Sequence, residues 1–323
     1  MKVGITYTYL KNESLSAMMN SSHDFTELSA ISNLKNAIQL LGYDVALYSD
    51  FSELKSEIEN DIFDCDLIFN MAVGEGSRTR MGLIPMYLEN KKIPYTGSDA
   101  YALQLSTNKE HMKCIAKSLN ILTPKSYLLN TKPSTSEILY TLEELKFPII
   151  VKPNEMANSL GLNIVYDAKS LIESCNNIFK KYNQPVLIEE YIAGFDVMVP
   201  ILTIKHNELA VGCVKYLKPD KSEIEIFDTK TKHDPNLLCV KADISDQLQS
   251  SMKEAAIRLH NFIPFCDFSR MDFRVNEKGD FYFLESNALP DLNKEGAFSI
   301  ALEMNFSEII DKIIKSAIDR YNL

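Results

Sequence analysis

Short apolar runs and amphipathic stretches alternate through the first hundred residues. Residues 3–7, 45–48 and 67–70 are mostly apolar runs of four or five positions, which predicts buried strands. Between them, residues 28–41 and 81–90 place apolar side chains every three to four positions, which predicts helices with one buried face. Strands alternating with helices predict a parallel, doubly wound sheet. The stretch 11–24 is polar and rich in Asn and Ser, so it is expected to be a loop near the mouth of that sheet.

Beyond this unit the period changes. Residues 99–116 are helical in pattern, and Pro124 and Pro133 punctuate the chain after them. A strand FPIIVKP (147–153) leads through a polar loop to Gly161, a second strand LNIVY and an amphipathic helix at 168–181. VLIEEYI then opens a further unit from Pro185. It continues with two long strands expected at 197–205 and 209–216, a polar segment at 218–235 and a helix at 246–262. A strand pair at 267–275 and 280–285 and a last helix from Ser307 complete it. No internal repeat interrupts this order.

Charge narrows the function classes. Among 323 residues, 44 acidic against 34 basic side chains leave a formal charge of -10, which repels polyphosphate backbones and argues against a nucleic-acid partner. The six cysteines are dispersed, with no CxxC pair, so neither a disulfide framework nor a zinc site is expected. No apolar run approaches the roughly 20 residues of a membrane span. Met1 runs straight into a strand-like segment instead of a secretion signal. The expected setting is cytoplasmic, without a membrane partner.

Three segments carry chemistry. In RMDFRVNEKGDFYFLESN (270–287), two strands joined at a turn bring Asp272 beside Glu285 and Asn287, the last two on one face by the period of two. Oxygen ligands of this kind suit Mg²⁺, with Arg270 a fixed cation beside them. A solvated hairpin face with surface acids fits the same pattern. Lys152 ends an apolar strand before a polar, Gly-terminated loop, a layout able to reach a polyphosphate, although strand-ending lysines are also common on plain surfaces. Lys109 opens a helix, where most lysines are merely solvated. In LIEEYIAGFD, Glu189 and Glu190 end a buried strand, with Asp196 six residues on. The segment can offer carboxylates and backbone groups to a purine and ribose, or can be a strand end with solvated acids.

In order along the chain, FNMAVGEG, IPYTGSDAYALQLSTNK, ILTP, FPIIVKP with NSLG, VLIEEYIAGFD and RMDFRV with GDFYFLESNALP resemble the D-alanine–D-alanine ligase family of the ATP-grasp superfamily, over nearly the whole chain. The resemblance implies an α/β (α+β) ATP-grasp fold: an N-terminal doubly wound domain at 1–98, a central subdomain at 99–184 and a C-terminal subdomain with the metal site at 185–323. It implies ATP and two Mg²⁺ ions, with Mn²⁺ able to substitute. It implies an acyl phosphate formed on one carboxylate and attacked by an amine, the substrates being amino acids or peptides. A homodimer is compatible with it.

Carried over residue by residue, Lys109 and Lys152 would contact phosphates. Glu189, Glu190, Tyr191, Ile192 and Leu284 would hold adenine, and Asp196 the ribose. Asp272, Glu285 and Asn287 would ligate metal. Ser159 would cover the transferred phosphate, Lys232 would belong to a closing loop, and Arg270 would stabilise the oxyanion. Glu27 and Glu75 fall near the first substrate.

The departures from the family lie in the acceptor half. The phosphate loop reads Ala157–Asn158–Ser159–Leu160–Gly161 and keeps one Ser of the usual pair. Asn-x-x-Pro-Gly becomes Asn287 to Asp291, and Gly296 stands where a serine helps hold the second D-alanine. His233 replaces a substrate-loop tyrosine, and Arg78 and Arg80 follow Glu75. These changes predict substrates other than two D-alanines, at least one with an extra acidic group met by Arg78 and with Asp291 at the acceptor end. A phosphotransferase on the same fold and a non-catalytic nucleotide-binding module are the alternative readings.

Overall fold

The computed structural model describes residues 1–8, 28–74, 78–130, 133–205, 208–232 and 234–323. The expected loop at 11–24, Glu27, Glu75 and His233 lie outside the described residues.

The N-terminal sheet is parallel, in the order β2 (Asp44–Tyr48), β1 (Lys2–Tyr7), β3 (Leu67–Met71). Helix α1 (Leu28–Leu40) covers one face, and α2 (Phe51–Glu59) and α3 (Leu83–Lys91) cover the other. The sheet is therefore wound on both sides, as the alternating pattern predicts. The helix expected from Met81 opens as a 3-10 turn, Arg80–Gly82, and a Cβ at Gly82 would stand 3.0 Å from the Ala100 carbonyl.

The helix expected at 99–116 is two helices, α4 (Ala100–Thr107) and α5 (Lys109–Ser118). Asn108 is extended. It ends α4, and its side chain caps α5 by accepting from the His111 amide at 3.0 Å. The break aims the start of α5 at the residues after β5 (Ile149–Pro153): the Lys109 amide donates to the Asn154 carbonyl, and the Glu110 amide to Asn154 Oδ1.

The central sheet is antiparallel in the order β4 (Ser126–Leu129), β7 (Val186–Glu190), β5, β6 (Asn163–Val165), backed by α6 (Thr135–Tyr140) and α7 (Ala168–Tyr182). Since β7 pairs with β4 and β5, this sheet continues past residue 184, where the sequence suggested a boundary, to Glu190.

The third sheet runs β11 (Leu238–Lys241), β10 (Val214–Leu217), β8 (Phe195–Lys205), β12 (Phe268–Val275), β13 (Phe281–Asn287), with β9 (Glu208–Val211) also on β8. The single strand expected at 209–216 is interrupted at Gly212, where a Cβ would stand 2.1 Å from the Ala301 carbonyl of α10 (Ala297–Leu302). The chain stays beside β8 across this break, the Gly212 amide donating to the Pro200 carbonyl at 3.4 Å, and continues as β10, which pairs with β8 on one side and β11 on the other. A four-residue helix α8 (Thr229–Lys232) precedes β11, and α9 (Asp246–Phe262) packs under the sheet together with α4 and α5.

Helix α11 (Phe306–Tyr321) returns to the first unit. Ile309, Ile310 and Ile313 share one core with Val3, Ile5, Leu202 and Phe268. Buried Asp267 fastens this junction by accepting from the Gly97 amide and Ser316 Oγ, both at 2.7 Å, and from Arg320. The three sheets are thereby held around one cleft.

Candidate active site

The cleft lies between the central and third sheets and is open to solvent at its mouth. One wall is β5 and the loop after it, with Ile150, Lys152, Ser159 and Leu160; the other is β12 and β13, with Asp272, Leu284 and Glu285. A second, broader cavity opens toward the N-terminal unit and carries Arg80, Ser106, Asn287, Asp291 and Gly296. Lys109, Met156, Phe227, Lys232, Arg270 and Glu285 line both, so the two spaces meet at these residues.

The hairpin register sets the acidic face. Asp272 stands directly across from Glu285, and Arg270 across from Asn287, with an irregularity after Asp272. All four point to one side of the sheet because residues two apart in a strand share a face. Asp272 accepts from Arg270 Nε at 2.7 Å and Nη2 at 2.9 Å, and from Asn287 Nδ2 at 3.2 Å. Glu285 pairs with Lys109 at 3.4 Å. Burial alone would push the Glu285 carboxyl up, but Lys109, Lys232, Lys152 and Arg270 outweigh it and hold it at about 2. Two carboxylates and an amide oxygen on one face are a donor set that fits a hard divalent cation.

Lys152, next to last in β5, is buried at the cleft wall and pairs with Glu189 near the end of β7. Lys113, one turn beyond Lys109 on α5, reaches the same carboxylate at 2.6 Å. Glu189 would be raised by burial, yet the two ammonium groups hold it at about 2. The structure therefore gives the Glu189 carboxylate to two lysines. Spacing alone could have flagged Lys113, since residues four apart on a helix share a face. Lys109 also donates to the Met156 carbonyl, and its own value is lowered by burial against the pull of Glu285.

Tyr191, Ile192, Asp196 and the exposed Glu190 line the far end of the cleft. Arg274, two residues beyond Asp272 on the same face, donates to the Ile192 carbonyl, to Asp196 Oδ1 and to the Glu225 carbonyl. The sequence reading passed over this residue, although its position on the Asp272 face was a usable signal. In the loop after β5, Asn158 and Ser159 are both left-handed, and Ser159 Oγ donates to the Phe227 carbonyl at 2.8 Å. Gly161 follows at φ 77°, where a Cβ would press on Pro153 and Tyr182. Phe227 stacks on Tyr216, and Lys232 lies over the Phe227 ring.

At the acceptor end the two arginines part. Arg78 pairs with buried Glu155 at 2.8 Å and is not part of the cavity wall, whereas Arg80 is buried, lines the cavity and donates to the Glu155 carbonyl. Asp291 is exposed on the wall of the same cavity.

Comparison with known proteins matches this architecture. Residues 117–315 fit the family model of the D-Ala D-Ala ligase C-terminus. The chain is 34% identical to a D-alanine–D-alanine ligase of Aquifex aeolicus over 72% of this chain and 77% of that one. It is 31% identical to that of Pelagibacter ubique over 85% and 88%. The crystal structure of the Bacillus anthracis D-alanine–D-alanine ligase complexed with ATP superposes with a TM-score of 0.77, at 21% identity, over 100% of this chain and 98% of that one. With the ordered motifs, the three-sheet cleft and these matches in agreement, the chain belongs to the D-alanine–D-alanine ligase family.

Proposed function

We propose that this protein is an ATP-dependent carboxylate–amine ligase that forms an amide or peptide bond through an acyl phosphate. The observation that carries the reading is the face shared by Arg270, Asp272, Glu285 and Asn287 at the meeting point of two cavities, one for nucleotide and one for the joined substrates. Adenine lies against Leu284, its edge toward the Glu190 to Ile192 backbone and Glu189, with the ribose at Asp196. Lys109, Lys152 and Lys232 meet the phosphates, and Ser159 covers them. Asp272, Glu285 and Asn287 would hold Mg²⁺, or Mn²⁺ in its place, which would supply charge neutralisation for the transferring phosphoryl group.

The residues act by position and charge. The lysines align the terminal phosphate with the carboxylate of the first substrate, and closure of residues 218–232 excludes the water that would hydrolyse the acyl phosphate. A neutral amine attacks the carbonyl carbon, Arg270 balances the oxyanion, and phosphate departs as the C–O bond breaks. The reaction suits the cytoplasm, where ATP is supplied. Among the described residues no helix is long and apolar enough to cross a membrane.

The substrates are amino acids or peptides, and they differ from two D-alanines. Asp291 stands where a second alanine's carboxylate would be repelled, and the charge of Arg80, bonded to the Glu155 carbonyl in the wall of the acceptor cavity, favours an acidic group on one substrate. ADP release screened over pairs of amino acids, dipeptides and small amines tests the reading. Release that depends on an amine is expected for at least one pair, and its absence for all would overturn it.

A further inference from the structure

The Arg274 guanidinium reaches three separate segments of the nucleotide cleft at once. Nε donates to the Ile192 carbonyl at 2.9 Å, at the exit of β7. Nη1 pairs with Asp196 at 2.9 Å, its direct neighbour across β8 and β12. Nη2 donates to the Glu225 carbonyl at 2.7 Å, in the segment between β10 and α8. The guanidinium also lies 5.9 Å from the centre of the Tyr191 ring, whose hydroxyl donates to the Glu225 carboxylate at 3.2 Å. The side chain is almost wholly enclosed, and both Arg274 and Asp196 line the cleft. The same segment is tied at its other end by the bond from Ser159 to the Phe227 carbonyl.

A planar fork with five donors can hold three acceptors in fixed directions, which an ammonium on a flexible stem cannot. A carboxylate pairing through one oxygen retains acceptor sites for hydroxyl groups on the other. We propose that Arg274 is a positioning residue of the nucleotide site: it orients Asp196 toward the ribose and, through the same guanidinium, fastens residues 223–228 over the cleft, so that ribose recognition and closure occur together. The inference rests on the nucleotide reading above and adds to it the group that couples the two events.

The test uses the full chain with ADP and with 2′,3′-dideoxyADP, measuring affinity by calorimetry and amide hydrogen exchange over residues 223–228. Wild type is expected to bind ADP about tenfold or more tightly than the dideoxy analogue, since a hydrogen bond to a charged group is worth at least that much, and to slow exchange in the segment when ADP binds. In Arg274→Met the preference falls to within about twofold and the slowing disappears, while binding through the phosphates persists. Arg274→Lys, which retains the charge beside Asp196, restores part of the preference but not the slowing. Because it keeps a cation in the enclosed position, Arg274→Lys is the variant that keeps the inference testable if Arg274→Met fails to fold. Unchanged preference and slowing in the Arg274 variants, with wild-type binding normal, would overturn the inference alone. Failure of wild type to bind either nucleotide would overturn the functional reading with it.

Discussion

Arg270 holds both carboxylate oxygens of Asp272, Nε to Oδ1 at 2.7 Å and Nη2 to Oδ2 at 2.9 Å, two residues apart on one strand face. A cation that ligates Asp272 has to share it with this fork. The oxyanion-stabilising charge and the metal site are thus one electrostatic unit, in which every carboxylate already has a cationic partner.

The metal reading makes a direct prediction. Glu285→Ala removes the carboxylate opposite Asp272 and is expected to abolish ADP release at ordinary Mg²⁺ while the melting temperature stays near that of wild type. Near-normal turnover in this variant would return the acidic face to a structural role.

Lys152 and Lys113 share Glu189 but are predicted to differ in effect. Lys152 lines the cleft, so Lys152→Met is expected to weaken nucleotide affinity or rate at least tenfold, the scale of a charged hydrogen bond of about 1.5–3 kcal/mol. Lys113 is fully buried and outside the cleft wall. Lys113→Met is expected to destabilise the fold by about 3 kcal/mol, because it leaves a buried carboxylate with one partner. Denaturant unfolding together with nucleotide titration separates the two; equal loss of affinity in both variants would contradict the assignment.

The acceptor end yields a comparison of arginines. A preference for acidic donors is expected to disappear in Arg80→Ala, whose side chain lines the cavity, and to survive in Arg78→Lys, which keeps a cation near Glu155. Relative rates of ADP release with D-alanine and with acidic donors decide it. Loss of the preference in Arg78→Lys alone would reverse the roles.

Asp291 should repel an acceptor carboxylate. Asp291→Asn is expected to raise amine-dependent ADP release with D-alanine as acceptor several-fold relative to wild type, and no change would show that Asp291 faces another group.

His260 predicts an acid limb of stability away from the site. Burial lowers its value to about 4, against an ordinary 6.5, with Ser269 Oγ at 2.8 Å from Nδ1. The folded state therefore favours neutral imidazole, and the unfolded chain binds the proton more readily. Stability is unaffected above about pH 6.5 and declines as the pH falls toward 4, by about 3 kcal/mol in all. Unfolding free energies measured across that range should slope less in His260→Gln; an identical slope would assign the acid lability elsewhere.

Much of the fold is legible in local pattern. Three buried runs alternating with amphipathic helices are enough for a parallel sheet, because each strand needs cover on both faces. Asp272, Glu285 and Asn287 are also readable, since one hairpin brings them together over a short loop and the period of two decides their face. Asn108 is harder: its neighbours suit a helix on either side, and the break depends on Asn154 and Glu155 waiting beyond β5.

What the chain order by itself determined is the alternation of strands and helices in the first unit, the hairpin face and the family to which the motifs belong. Tertiary structure alone decided the partners: Glu189 between Lys113 and Lys152, Arg274 spanning Ile192, Asp196 and Glu225, and Arg78 turned to Glu155 while Arg80 faces the cavity. Each of these contacts joins residues dozens of positions apart, and pattern reaches only along a strand or a helix. Which charge meets which is settled by the sheets closing on one cleft, where burial makes every unpaired charge costly.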